Sequence, residues 1–152
     1  MTLKEKIINS YPVSVAQNGD SFDVKVLQGR LWQEQLPPLI NLVTLDTLKM
    51  SRSNMRLTSH KLDYKLKQIG DSGKSPMEFE DWIGVQNGSE KSLDKMLKYC
   101  DKDVIGLRKV FWSLLPYAKR LPVRLGLLVN KDRDACVECG SVNVIKWGLY
   151  IT

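Results

Sequence analysis

From about Glu90 to Leu115 the chain carries its longest periodic segment. Leu93, Met96, Leu97, Cys100, Val104, Leu107, Phe111 and Leu114 recur at helical spacing and define one apolar stripe. Ser89 is an N-cap residue, Glu90 suits the positive end of the helix dipole, and Pro116 stops the run. Upstream the elements are shorter and of two kinds. Val13-Ser14-Val15-Ala16 is β-branched and bounded by turn residues, so it reads as a buried strand. Asn18-Gly19-Asp20-Ser21 is a turn. A helix follows over roughly Phe22–Gln35, with Val26, Leu27, Arg30 and Leu31 near helical spacing, and Pro37-Pro38 ends it. Leu42–Leu45 is a second strand. Asp46 or Thr47 caps a helix reaching about Asn54, and Thr58-Ser59 caps another from His60 to about Ile69, closed by Gly70. Residues 2–10 suit a helix that Pro12 stops.

Strands alternating with helices imply an α/β layered fold. The stretch Asp71–Gly88 is rich in Gly, Pro and Ser and reads as an irregular connection, tacked to the core by Met77, Phe79, Trp82 and Ile83. Trp32, Trp82 and Trp112 are expected in the core, and Trp147 in the tail. From Ala118 the pattern changes to a basic connection and a β-like tail. This sets a domain over 1–117, a tail over 118–152, and a soft boundary near 118–131.

Bulk properties narrow the function classes. At 152 residues, 43% hydrophobic and 26% charged, the chain suits one globular domain. No run approaches the roughly 18 apolar residues of a membrane span, and the first residues lack a signal-peptide core, which predicts a cytoplasmic protein. Three cysteines are too few and too uneven for a disulfide framework. The net charge of +6 is compatible with a nucleic-acid partner without requiring one. Lys49, Arg52, Arg56, Lys61, Lys65 and Lys67 cluster, with Asn18 at the nearby turn, and would track a phosphate backbone; solvated helix faces explain such runs equally well.

Two constellations carry chemistry. Asn18-Gly19-Asp20-Ser21-Phe22-Asp23 joins the end of a strand to the start of a helix, the edge of an α/β sheet where ligands bind. Phe22 is available to anchor this turn in the core. Taken alone, Asp20 or Asp23 also serves simply to stabilise a helix N-terminus. Tyr99 and Asp103 stand four residues apart on the long helix and so share a face, at the margin of the stripe. An acid at the edge of a buried face calls for a partner, and a metal ion is one such partner. A surface Tyr–Asp pair is the plainer alternative.

Together, the order strand, N-G-x-x-F-D, helix, strand, then Y-x-x-x-D on a late helix resembles the DEDD 3′–5′ exonucleases of the ribonuclease H-like fold, in their tyrosine subclass. The resemblance covers roughly 1–117. Leu45-Asp46-Thr47-Leu48-Lys49 and Ser59-His60-Lys61-Leu62-Asp63-Tyr64 are similar to the connection in phage and bacterial members. The resemblance implies that Asp23 and Asp103 hold ions and that Tyr99 orients the attacking water. Two Mg²⁺ or Mn²⁺, roughly 3.5–4 Å apart, would bracket the phosphate of single-stranded or frayed DNA. Asp46 matches no metal ligand of the family and reads as a helix cap.

The family's first motif, D-x-E, supplies two of its four carboxylates and occurs nowhere in the sequence. The expectation is therefore a partial ribonuclease H-like fold: a fragment, a split-gene product or a degenerate relative. It would be inactive without a chain that supplies D-x-E, and prone to join that chain or itself through an exposed strand edge. A non-catalytic nucleic-acid-binding or assembly module is the competing expectation. Cys136-Val137-Glu138-Cys139-Gly140 resembles the first half of a zinc ribbon, with Cys136 and Cys139 as two of the four ligands Zn²⁺ needs. A reduced pair in a hairpin turn is as good a reading. His60 and Cys100 are distant; Cys100 reads as core and His60 as a helix-start residue.

Overall fold

A computed structural model describes residues 13–39, 42–73, 77–124, 135–136 and 141–145. The helix expected over 2–10 and Trp147 lie outside these. Two short strands, β1 (Val13–Ala16) and β2 (Val43–Asp46), pair in parallel, in register from Val13 opposite Val43 to Ala16 opposite Asp46. Between them α1 (Asp23–Gln33) makes the crossover. Then follow α2 (Thr47–Asn54), α3 (Leu62–Gln68), α4 (Phe79–Gln86), α5 (Glu90–Leu114) and a 3-10 turn at Leu115–Tyr117. The α/β class holds. Among the described residues no helix is long and apolar enough to cross a membrane.

Local signals place most boundaries. Asp46 caps α2, its carboxylate accepting from the Leu48 N–H, and Ser89 does the same for α5 at Ser92. After α1 the chain turns back through Gln35 at φ 53°, and the Leu36 N–H donates to the Leu31 carbonyl. The Gln28 side chain then grips the next segment in both directions: its amide donates to the Leu39 carbonyl at 3.0 Å and its carbonyl accepts from the Leu39 N–H at 3.1 Å.

The core is small and lies where α5 meets β1, α2 and α3. Leu45, Met50, Leu62, Leu66, Val110, Phe111 and Leu114 fill it. The expected stripe of α5 is displaced around the helix. Leu93, Leu97, Cys100 and Val104 are exposed, while Met96, Tyr99 and Asp103 are half-buried and Gly106 and Val110 buried. The cause is Gly106: its bare backbone lets Leu66 of α3 close in, so that an added Cβ would lie 3.1 Å from both Leu66 δ-carbons. The line of closest approach therefore runs through 99, 103, 106 and 110 rather than through the bulkiest side chains.

Other expectations change for similar reasons. Trp32 (80% exposed), Trp112 and Phe22 stand in solvent rather than in the core; α1 buries none of its residues, so Phe22 does not anchor the turn. Trp82 is partly exposed and meets the Tyr99 ring edge-on, centroids 6.1 Å apart. The segment 71–88 is not all irregular, since α4 occupies 79–86. Its start is secured where the Glu78 N–H donates to the Asp81 carboxylate at 3.0 Å. The helix expected from His60 begins at Leu62.

The chain divides into two compact units, 1–119 and 120–152. In the second, the Cys136 N–H donates to the Ser141 carbonyl at 2.8 Å. Cys139 lies outside the described residues.

Candidate functional site at the carboxyl end of the parallel strands

The turn after β1 is built tightly. Asn18 adopts φ 68°, and its carbonyl accepts from the N–H groups of Ser21 and Phe22; the Gly19 carbonyl accepts from Val24 and starts α1. Gly19 is buried, and a Cβ there would fall 2.3 Å from that of Ala16, so the turn passes over β1 only without a side chain. The Asp23 carboxylate lies above the same glycine, 3.6 Å from where that Cβ would stand.

The junction of β2 and α2 holds this turn from below. Asp46 is 4% exposed, and its Oδ1 accepts both the Leu48 N–H and, across the sheet, the Asn18 N–H at 2.9 Å. Its Oδ2 is buried and has no hydrogen-bond partner among the described residues. Thr47, fully buried, places its hydroxyl 3.0 Å from the Ala16 carbonyl and 2.6 Å from Gln17 Oε1. The Gln17 amide donates to the His60 carbonyl at 3.0 Å, and the His60 ring meets Ser51 Oγ at 3.0 Å. Asp46 is thus a helix cap, as expected, and also a clamp on the turn.

Lys65 corrects its sequence assignment. It is 3% exposed, so it does not face nucleic acid. Its ammonium points inward, donating to Gln17 Oε1 at 2.6 Å and to the Thr47 carbonyl at 3.2 Å. Burial pushes the ammonium down to about 8, against the pull of the Asp46 charge. Lys49 is exposed and ion-pairs with Asp20. That hydrogen bond, with a second from Thr44, holds the Asp20 carboxyl below the usual carboxylate value. Arg52, Arg56 and Lys61 are exposed, as is Asn18.

Tyr99 and Asp103 do share a face of α5, and it is the half-buried one. Tyr99 meets Trp82 of α4. Asp103 stands in the wall of a cavity of about 150 Å³, with Leu66, Asp71, Ser72, Gly73, Lys102 and Lys109 around it. Lys109 pairs with Asp71 at 2.6 Å and holds its carboxyl below the ordinary value. Asp71 and Lys109 carried no signal in the sequence; they meet only because α3 returns onto α5. Asp23 and Tyr99 do not line this cavity.

The oxygen donors of Asp23 and Asp103 suit hard divalent ions in kind. In number they fall short of a two-ion centre: among the described residues no three His, Cys, Asp or Glu side chains gather where a metal could be held.

An acid-bearing turn follows β1 at the carboxyl end of two parallel strands, and α5 packs on β1, which defines the class: an α/β domain. A family model described as RNase H superfamily matches residues 1–115, and the chain belongs to that superfamily. No curated protein and no solved structure matches it.

Proposed function

We propose that the chain is the part of a metal-dependent 3′–5′ exonuclease of the tyrosine DEDD subclass that bears its second and third motifs. Support comes from superfamily membership together with one relationship: α5 turns the face of Tyr99 and Asp103 inward and packs on β1, whose carboxyl end leads to Asp23. In this reading Asp23 and Asp103 are metal ligands and Tyr99 holds the attacking water. Bound Mg²⁺ or Mn²⁺ would supply the acidified water and the charge that stabilises the phosphate. The remaining carboxylates come from a D-x-E outside these 152 residues, in the same polypeptide or another. Asn18, Lys49, Arg52, Arg56 and Lys61 remain candidates for strand contact, and single-stranded or frayed DNA is the substrate. Cys136 and Cys139 are offered as half of a shared zinc site, and the protein is placed in a cytoplasm.

The shortfall of metal-capable side chains favours a second reading, a non-catalytic nucleic-acid-binding or assembly module. Among the described residues β1 has one neighbour, β2, and two short parallel strands do not make a stable sheet unaided. A strand from another segment would complete it. One experiment separates the readings. The chain is mixed with a polypeptide carrying D-x-E on three strands, Mn²⁺ and single-stranded DNA. Degradation that Asp103→Ala abolishes, with DNA binding intact, is the expected result. Binding without cleavage in every mixture rejects the exonuclease.

A further inference from the structure

Lys65 is a costly residue to bury in this core. A buried ammonium loses its hydration and recovers it only through well-aimed hydrogen bonds, and a side chain such as Met would fill the same volume at no electrostatic cost. What a lysine adds is direction. Two of its three donors go to Gln17 Oε1 and the Thr47 carbonyl, one on each strand's exit. Gln17 is the last residue before the turn and is held at both ends, its Oε1 accepting from Lys65 and from the Thr47 hydroxyl and its amide donating to the His60 carbonyl. The next residue, Asn18, sits in the left-handed region with its N–H on Asp46. The residue after that, Gly19, is the one at which an added Cβ would stand 3.6 Å from the Asp23 carboxylate. The grip therefore passes from Lys65 of α3 through Gln17 along the backbone to Asn18 and Gly19, whose carbonyl accepts from the Val24 N–H beside the acid at the start of α1.

We propose that Lys65 is a positioning residue for the site: by gripping Gln17 from within the core it fixes the turn that aims Asp23. The role in catalysis rests on the exonuclease reading above; the grip on the turn does not. A lysine filling space would, when replaced by an apolar group, change stability everywhere. A positioning lysine leaves the core intact and loosens one turn.

The test uses the full chain, ¹⁵N-labelled, as wild type and as Lys65→Met. Amide hydrogen exchange is read at Asn18 in the turn, at Val24, whose N–H bonds back to it at the start of α1, and at Val110 in the core. The expected result is a melting temperature equal to or above wild type, with Asn18 and Val24 exchanging at least about tenfold faster and Val110 unchanged. If Lys65→Met alone does not fold, the double variant Gln17→Leu/Lys65→Met replaces both partners with apolar groups, and the same local loss is expected. Unchanged exchange at Asn18 and Val24 overturns the proposal, as does Val110 accelerating by the same factor. A separate arm adds a single-stranded oligonucleotide with Mg²⁺ to the wild type. With the D-x-E polypeptide also present, absence of shifts at 18–23 and 99–103 there rejects the nuclease reading, while the exchange rates still decide the role of Lys65.

Discussion

Gly106 of α5 and Leu66 of α3 meet where the two helices pack, and a methyl group on the glycine would stand 3.1 Å from both Leu66 δ-carbons, so Leu66 would have to give way. Leu66 is 2% exposed and meets the glycine through both δ-carbons equally, so rotating its side chain relieves neither contact without renewing the other. Alanine there gains about 1 kcal/mol of helix propensity and loses roughly 1–3 kcal/mol to overpacking. Gly106→Ala is therefore expected to destabilise by about 1 kcal/mol in urea unfolding, and Gly106→Val by more. Pairing Gly106→Ala with Leu66→Val should restore part of the loss. A stabilised Gly106→Ala would show that α3 has room to retreat.

That crossing also explains what the sequence could and could not disclose. Ser89, Asp46 and Gly70 act on the backbone within a few residues of themselves, so the ends they set are legible. The buried face of α5 is decided by a residue with no side chain meeting one from another helix. Hydrophobicity alone favours Leu93, Leu97, Cys100 and Val104, which lie outside. The spacing of Tyr99 and Asp103 alone puts them on one face. Their surroundings, Trp82 on one side and Asp71 with Lys109 on the other, depend on α4 and on the return of α3. The signal for α4 was present in Asp81, three residues after Glu78, but the glycines, prolines and serines around it masked the helix. Lys65 is illegible because lysines are seldom buried, and its two acceptors, Gln17 Oε1 and the Thr47 carbonyl, lie far off in sequence.

Cys100 gives an inexpensive check of the face. In a Cys136→Ser/Cys139→Ser background, the exposed Cys100 should react with a maleimide in the native protein about as fast as in urea. Protection by orders of magnitude would return the stripe to the core.

Lys65 makes stability depend on alkaline pH. Its folded value of about 8 lies below the ordinary 10.5. Below about 8 both folded and unfolded chains hold the proton, and the burial penalty is constant. Between 8 and 10.5 the unfolded chain holds it more tightly, so stability rises with pH, by up to about 3 kcal/mol over the window. Urea unfolding between pH 7.5 and pH 10 reads this as the difference between wild type and Lys65→Met, in which the rise should vanish. A difference that shrinks in the opposite direction would mean the ammonium is stabilised, not strained, by its site.

Asp46 separates capping from charge. Oδ1 does both of its visible jobs, accepting from Leu48 and from Asn18, and Oδ2 is buried without a hydrogen bond among the described residues. Asparagine keeps an Oδ1 acceptor, caps a helix as well as aspartate does, and removes the buried charge. It also removes the attraction that raises the buried Lys65 ammonium. Asp46→Asn should therefore leave the Asn18 amide protected from exchange and lower the Lys65 value further, moving the start of the alkaline rise to lower pH. Asp46→Ala takes away the acceptor itself, so α2 loses its cap and the turn its clamp. A loss of about 1–2 kcal/mol is expected, with fast exchange at Asn18. Equal losses in the two variants would mean that the carboxylate's charge, rather than its hydrogen bonds, holds the turn to β2.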